Sequence, residues 1–144
     1  MEYNYNICIV EDDLFFANLI QETLKNQGFR SSKIYTNPRE FLTSNDPKEI
    51  IILDHHFSDL TGIEILRKLK GNNPNTQVIY LSGQEKMSVA ITAIKYGAFD
   101  YIEKSTENLK KLPSVVRKVI ENNKETVPDQ MNLFKRSRLF KLFF

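Results

Sequence analysis

The sequence has one cysteine, no long apolar run and no basic segment at its start. A single cysteine cannot form an internal disulfide, as is usual for proteins of the reducing cytosol. A membrane-spanning helix needs about 20 consecutive apolar residues, and a secretory signal needs a basic stretch before its apolar core. We therefore expect a cytoplasmic protein without a cleaved secretory signal, in which Cys8 is a buried, unreactive thiol.

Length and composition fit one globular domain. The chain has 144 residues, 41% of them hydrophobic and 26% charged, and single domains are commonly about 100–150 residues long. The net charge of +2 is unevenly distributed, because the last ten residues contain four basic residues and no acid. Without them the chain has 16 basic and 18 acidic residues. We therefore expect no direct binding of nucleic acid.

Short apolar segments alternate with segments of helical periodicity. The apolar segments are residues 7–10, 33–35, 50–53, 78–81 and 101–102. The helical segments are residues 13–26, 38–43, 62–70, 87–96 and 109–122. Three apolar segments are continuous and rich in β-branched residues, which is typical of parallel strands covered on both faces. Five β–α units predict an α/β fold of three layers, with a parallel sheet between helices.

Polar and charged side chains follow the ends of four predicted strands. In chain order they are Glu11, Asp12 and Asp13 after the first strand, Asp54 after the third, Ser82 after the fourth and Lys104 after the fifth. Ligands of open α/β sheets bind beyond the carboxyl ends of the strands. Clustered carboxylates repel one another unless a cation lies among them, and magnesium (Mg2+) prefers such oxygen ligands. An acid in this position can also simply cap the next helix, and Asp13 is a candidate for that role.

The charges of these groups indicate what each could do chemically. The Asp54 carboxylate can attack phosphorus and form an acyl phosphate. Asp12 and Asp54 can ligate the metal directly, and Glu11 can do so through water. Lys104 and the Ser82 hydroxyl can bind phosphate oxygens. The residues therefore predict a phosphoryl-transfer site.

Five motifs resemble those of the receiver domains of bacterial response regulators, the phosphate-accepting half of two-component signalling systems. They are Ile9-Val10-Glu11-Asp12-Asp13, Ile52-Leu53-Asp54, Gly62, Tyr80-Leu81-Ser82-Gly83 and Gly97-Ala98-Phe99-Asp100-Tyr101-Ile102-Glu103-Lys104. The resemblance covers roughly residues 5–122. It implies a flavodoxin-like, doubly wound (βα)5 fold with strand order 2-1-3-4-5. We expect a receiver domain over residues 1–123 and a linker with a basic, aromatic tail over residues 124–144.

The resemblance also implies the roles of the acidic residues. Asp54 corresponds to the aspartate that is phosphorylated by a histidine kinase or a phosphotransfer protein. Glu11 and Asp12 correspond to the acidic pair that binds Mg2+, and the backbone carbonyl of His56 corresponds to the third protein ligand of the metal, beside Asp54.

Three further residues match the family's switch. Ser82 corresponds to the switch hydroxyl, Tyr101 to the switch aromatic residue and Lys104 to the invariant lysine. In such domains phosphorylation draws the hydroxyl toward the phosphate and lets the aromatic ring turn inward. The face formed by the fourth helix, fifth strand and fifth helix then changes its protein partners, and a homodimer is one such option.

Two residues depart from the family pattern. Ser58 and Ser105 stand where proline is usual, four residues after the phosphoacceptor and directly after the lysine. A cis bond before a residue other than proline costs about 2.5–4 kcal/mol, so we expect the Lys104–Ser105 peptide to be trans. The placement of Lys104 is the feature that this change puts in question.

His55 and His56 follow the nucleophile directly. They could belong to a transition-metal site or be incidental loop residues; we favour the second interpretation because the chain has no other histidine. His56 and Gln84 lie two residues beyond Asp54 and Ser82. These positions tend to set the dephosphorylation rate of receiver domains, so we expect them to border the path of the attacking water.

The tail, residues 133–144, mixes basic residues with phenylalanine and leucine. This composition suits a membrane surface, but the segment is short and weakly patterned, so we favour packing or a protein partner. The sequence leaves open whether the chain acts alone or is part of a longer regulator.

Two alternatives to phosphoacceptor function are considered. One is a phosphorylation-independent module that keeps the receiver fold for interaction or dimerisation. The other is an aspartyl-phosphate phosphatase of the haloacid-dehalogenase type, which has a carboxylate where this chain has His56. We expect no enzyme activity beyond self-directed phosphotransfer and autodephosphorylation.

Overall fold

The described part of the chain, residues 3–83 and 87–124, forms a parallel sheet with helices on both faces in a computed structural model. The strands are β1 (Ile7–Val10), β2 (Ser32–Tyr35), β3 (Ile50–Asp54), β4 (Gln77–Ser82) and β5 (Asp100–Glu103). The helices are α1 (Leu14–Lys25), α2 (Pro38–Thr43), α3 (Gly62–Asn72), α4 (Met87–Lys95), α5 (Thr106–Leu109) and α6 (Leu112–Lys124). The sheet order is β2-β1-β3-β4-β5. The predicted doubly wound fold is confirmed.

The core consists of two apolar layers, one on each side of the sheet. Ile9 and Ile52 pack on the face covered by α1 and α6. Ile51 and Leu53 pack on the opposite face, against α2, α3 and α4. Because both faces are covered, successive residues of β1 and β3 are all buried, which explains the continuous apolar segments of the sequence.

Local capping fixes where the helices begin and end. The carboxylate of Asp13 accepts a hydrogen bond from the Phe16 backbone N–H at 3.2 Å, so this residue is the N-cap of α1. The Thr61 hydroxyl and the Glu64 carboxylate form a reciprocal capping box at the start of α3. Asp13 is therefore a structural cap, as one reading of the sequence proposed.

The end of the chain's regular structure differs from the expectation. A single helix over residues 109–122 was expected, but a one-turn helix, α5, precedes α6. The Ser105 hydroxyl accepts a hydrogen bond from the Asn108 N–H at 3.0 Å and starts this extra turn. Pro113 has no N–H with which to continue the hydrogen bonds from the preceding turn. The chain therefore starts a new helix at Leu112.

The linker and tail were predicted over residues 124–144, and all of this segment after Lys124 lies outside the described residues. The boundary between domain and tail therefore stays a prediction, as does the role of Gln84, which is also outside them. Among the helices that the structure describes, none has both the length and the apolar character needed to cross a membrane.

Candidate functional site

The predicted acidic residues meet at the carboxyl end of the sheet. Val10 pairs with Leu53 across β1 and β3, so Glu11 and Asp54 occupy the next positions of two neighbouring parallel strands. One carboxylate oxygen from each of Glu11, Asp12 and Asp54 lies within 4.8 Å of the other two. Glu11 and Asp54 are buried, whereas Asp12 is exposed. This cluster opens to solvent on the Asp12 side.

Lys104 supplies the positive charge of the site. Its ammonium forms an ion pair with Oε1 of Glu11 and lies 3.4 Å from Oδ1 of Asp54. No hydrogen-bond donor from the rest of the described chain reaches the buried Glu11 Oε1. Among the described residues, Lys104 thus pairs with two of the three carboxylates of this cluster, and the balance of these four groups is negative.

The excess negative charge shows in the ionisation of Glu11. Its side chain is 1% exposed, and burial, followed by its hydrogen bond and charge repulsion with Asp54, raises its pKa from 4.5 to about 8. Lys104 opposes this shift without cancelling it. A divalent cation among the three carboxylates would remove the conflict, and oxygen donors at this spacing suit Mg2+. The residues present therefore fit the metal that the sequence predicted.

Lys104 is itself held in its charged form. Burial lowers the pKa of its ammonium, but the Glu11 and Asp54 carboxylates outweigh burial, and the pKa lies above its usual value. The ammonium also lies 4.5 Å from the centre of the Phe16 ring, within the range of a cation–π contact. Sequence reasoning missed Phe16, although it lies on the first turn of the helix that follows the acidic pair.

The peptide bond after Lys104 is trans, as expected for a residue other than proline, and no cis bond occurs among the described residues. Ser105 instead acts as the N-cap of α5. The backbone N–H of Lys104 donates to the Ser82 carbonyl at 2.6 Å, which ties this segment to β4. The lysine thus reaches the carboxylates without the family's proline.

The two predicted switch residues lie on β4 and β5. Ser82 is fully buried and follows Leu81, the register partner of Asp54. Tyr101 is half-buried, and its ring is stacked on that of Tyr80 with centroids 6.2 Å apart. The structure therefore places Ser82 on the strand next to Asp54, and Tyr101 one strand further away, on β5. Their switching role stays a prediction.

His56, the predicted carbonyl ligand, is exposed in the loop after β3 and forms an isolated bridge with Thr61. The one potential metal cluster found among the described residues contains no histidine. His55, in contrast, is buried, and its Nδ1 is hydrogen-bonded to the hydroxyl of Tyr80. Treating His55 as an incidental loop residue was wrong. The period of two could have placed His55 on the same side of the sheet as Leu53, but it could not have identified Tyr80 as its partner.

Gly62 is required where the loop after β3 returns to the sheet. A Cβ atom at this position would collide with the backbone carbonyl of Asp54 and with the Tyr80 hydroxyl. Its N–H donates to the His55 carbonyl at 2.7 Å. The glycine therefore lets α3 begin directly against the end of β3.

Comparisons with known proteins agree with this geometry. The family model described as the response regulator receiver domain matches residues 7–117. An NtrX-like response regulator of Rickettsia felis is 37% identical over 107 residues, which are 72% of this chain and 22% of that protein. The chain thus spans about a fifth of the length of such relatives.

Solved structures show the same similarity. The response regulator DrrB of Thermotoga maritima is 27% identical, with a TM-score of 0.74, over 85% of this chain and 54% of that one. The receiver domain of NtrX from Brucella abortus is 26% identical, with a TM-score of 0.71, over 80% of this chain and 98% of that one. The chain belongs to the response regulator receiver domain family of two-component signalling systems.

Proposed function

We propose that the chain accepts a phosphoryl group on Asp54 from a histidine kinase or a phosphotransfer protein, in the presence of Mg2+. Receiver domains of response regulators interact with such kinases and phosphotransfer proteins. The observation that supports the proposal most directly is the grouping of Glu11, Asp12 and Asp54 within 4.8 Å, with Lys104 beside them.

In the proposed step an Oδ atom of Asp54 attacks the phosphorus of a phosphohistidine. The new O–P bond forms as the N–P bond breaks, and the imidazole of the donor leaves with the electron pair of that bond. Lys104 exchanges its pairing with Asp54 for a phosphate oxygen, because the carboxylate oxygen that it faces becomes part of a mixed anhydride. The lysine is already within reach, at 3.4 Å.

Asp12, Asp54 and the His56 carbonyl would hold the metal directly, with Glu11 acting through water. Mg2+ supplies, when bound, the positive charge that offsets the carboxylates and the equatorial phosphate oxygens. Glu11 would then lose the proton that its raised pKa favours in the metal-free protein.

We further propose that the phosphorylated chain acts by binding and not by turning over a substrate. Ser82 would donate its hydroxyl to the new phosphate, and the Tyr101 ring would turn inward. The face formed by α4, β5 and α6, where α6 corresponds to the fifth predicted helix, would then change its affinity for a downstream protein. The α4 surface is suited to binding, since Met87 and Ile91 on it are 75% and 63% exposed.

The test is incubation with Mg2+ and acetyl phosphate, followed by intact-mass measurement. Wild type is expected to gain one phosphoryl group, and Asp54→Asn none. Asp13→Asn is the matched control, because Asp13 is adjacent to the cluster but serves as the cap of α1; it is expected to gain the group as wild type does.

An adduct on Asp54→Asn would show that the acceptor has been misassigned. A folded wild type that gains no adduct from acetyl phosphate or from a phosphohistidine donor would contradict the proposal. That result would favour a phosphorylation-independent interaction module.

A further inference from the structure

A buried hydrogen bond joins the residue after the phosphoacceptor to the neighbouring strand. His55 is 9% exposed and Tyr80 is fully buried. Nδ1 of His55 and the Tyr80 hydroxyl are hydrogen-bonded, with the ring centroids 5.7 Å apart and an interplanar angle of 61°. Changing one member of this buried pair removes a contact with a directional preference that apolar packing lacks.

His55 is part of the backbone that shapes the site. It directly follows Asp54, and its carbonyl accepts the Gly62 N–H at 2.7 Å, which closes the base of the loop that contains His56. The side chain of His55 is thus fixed to β4 while its backbone fixes the loop. A shift of Asp54 or of this loop must be accommodated at the bond with Tyr80.

Tyr80 continues the contact across the sheet. In register, Leu53 of β3 pairs with Tyr80 of β4, and Tyr80 pairs with Tyr101 of β5. The Tyr80 and Tyr101 rings are stacked at 6.2 Å with an interplanar angle of 21°. Side chains in a close-packed interior cannot move independently of their neighbours, so the position of the Tyr80 ring restricts that of Tyr101.

We infer that the His55–Tyr80 hydrogen bond is a positioning contact that couples the phosphoacceptor end of β3 to the Tyr101 ring. The inference rests on the proposed function, because it assumes that Asp54 receives the phosphoryl group. It adds a connection through the sheet to the connection through the Ser82 hydroxyl. The alternative is that the bond merely satisfies two buried polar groups, in which case it affects stability but not the response of Tyr101.

The experiment removes single atoms or side chains and measures the response at Tyr101. The probe is Mg2+ with beryllofluoride, a mimic of the phosphoryl group; a beryllofluoride-activated DrrB receiver domain is among the similar structures. Binding is measured by titration, and the Tyr101 ring resonances are followed by NMR, with Tyr101→Phe used for their assignment. Tyr80→Phe deletes only the hydroxyl, and His55→Leu removes the partner from the other side.

Tyr35→Phe is the matched control. Tyr35 is also a buried tyrosine of the sheet, but it lies on β2, at the edge opposite to β5 and Tyr101. Its hydroxyl donates to the Asp46 carboxylate. Wild type and this control are expected to show the full shift of the Tyr101 resonances. In Tyr80→Phe the shift is expected to fall to less than about half, while beryllofluoride still binds.

His55→Leu is expected to reduce the shift to a similar degree, and the double variant to reduce it no further, because both changes remove one contact. Should Tyr80→Phe fail to fold, His55→Leu alone decides. A full Tyr101 shift in these variants, or an equal loss in Tyr35→Phe, overturns the inference and leaves the proposed function intact. A wild type that binds no beryllofluoride overturns the proposed function and the inference with it.

Discussion

The stability of the metal-free protein should depend on pH through Glu11. Its pKa is about 8 in the folded protein against an ordinary 4.5, so between these values the folded state holds a proton that the unfolded state has released. The stabilisation linked to this proton is complete below pH 4.5 and is lost as the pH rises through about 8. We therefore expect the free energy of unfolding to fall across this range in the absence of metal.

The size of the effect follows from one proton. The slope cannot exceed about 1.4 kcal/mol per pH unit, and over the whole range the upper bound is on the order of 5 kcal/mol. The Asp54 carboxylate and the Lys104 ammonium face Glu11. The pKa of Lys104 is raised above 10.5, so its stabilising effect is fully present throughout this range and adds no slope.

Urea unfolding in the presence of a chelator measures this dependence. Wild type should lose stability between about pH 5 and pH 8 relative to Glu11→Gln, which cannot release a proton. Glu22→Gln, on the exposed side of α1, is the control and should follow wild type. Adding Mg2+ should stabilise wild type more at the higher pH, because a ligating carboxylate must be deprotonated. Parallel stability curves for wild type and Glu11→Gln would refute the raised pKa of Glu11.

Three further predictions concern single residues. Gly62→Ala should lower the free energy of unfolding by about 1–3 kcal/mol, because the new methyl group collides with the backbone. Gly71→Ala should raise it by up to about 1 kcal/mol, because this position lies in α3 and its Cβ would meet nothing within 4 Å. Urea unfolding measures both changes. Cys8 is 3% exposed, and burial raises the pKa of its thiol to about 11. It should therefore react with a thiol reagent only as fast as the chain opens. Reaction of the native protein at the rate of a free thiol would contradict this prediction. Phe16→Leu should remove a cation–π contact of about 0.5–2 kcal/mol from Lys104 and slow phosphorylation by acetyl phosphate, and an unchanged rate would assign the ring a packing role only.

The sheet and its acidic end were predictable because they depend on local patterns. Continuous apolar strands specify a sheet covered on both faces, and such a sheet brings the residues after β1 and β3 to one edge. Glu11 and Asp54 could be placed together because the family resemblance implied the strand order 2-1-3-4-5, in which β1 and β3 are neighbours. The bounds of the strands followed from the same patterns, and no strand end differs from its predicted position by more than one residue.

His55 was not predictable in the same way. The interpretation of a polar residue after a strand depends on what lies on the neighbouring strand, and that requires the register. Only the pairing of Leu53 with Tyr80 shows that a hydroxyl is available to a histidine on this face. Long-range hydrogen bonds of this kind depend on tertiary packing, to which composition and periodicity give no access.

The position of Lys104 shows how a local change can leave a site intact. The family's proline after the lysine fixes the backbone by its ring, and its replacement by Ser105 put the lysine's placement in question. In this chain the serine caps the extra turn α5, the Lys104 N–H is tied to the Ser82 carbonyl, and the Phe16 ring lies beside the ammonium. Together these three contacts hold the segment in this chain. Each contact contributes only about 0.5–2 kcal/mol, so the placement of Lys104 next to Asp54 depends on all three together.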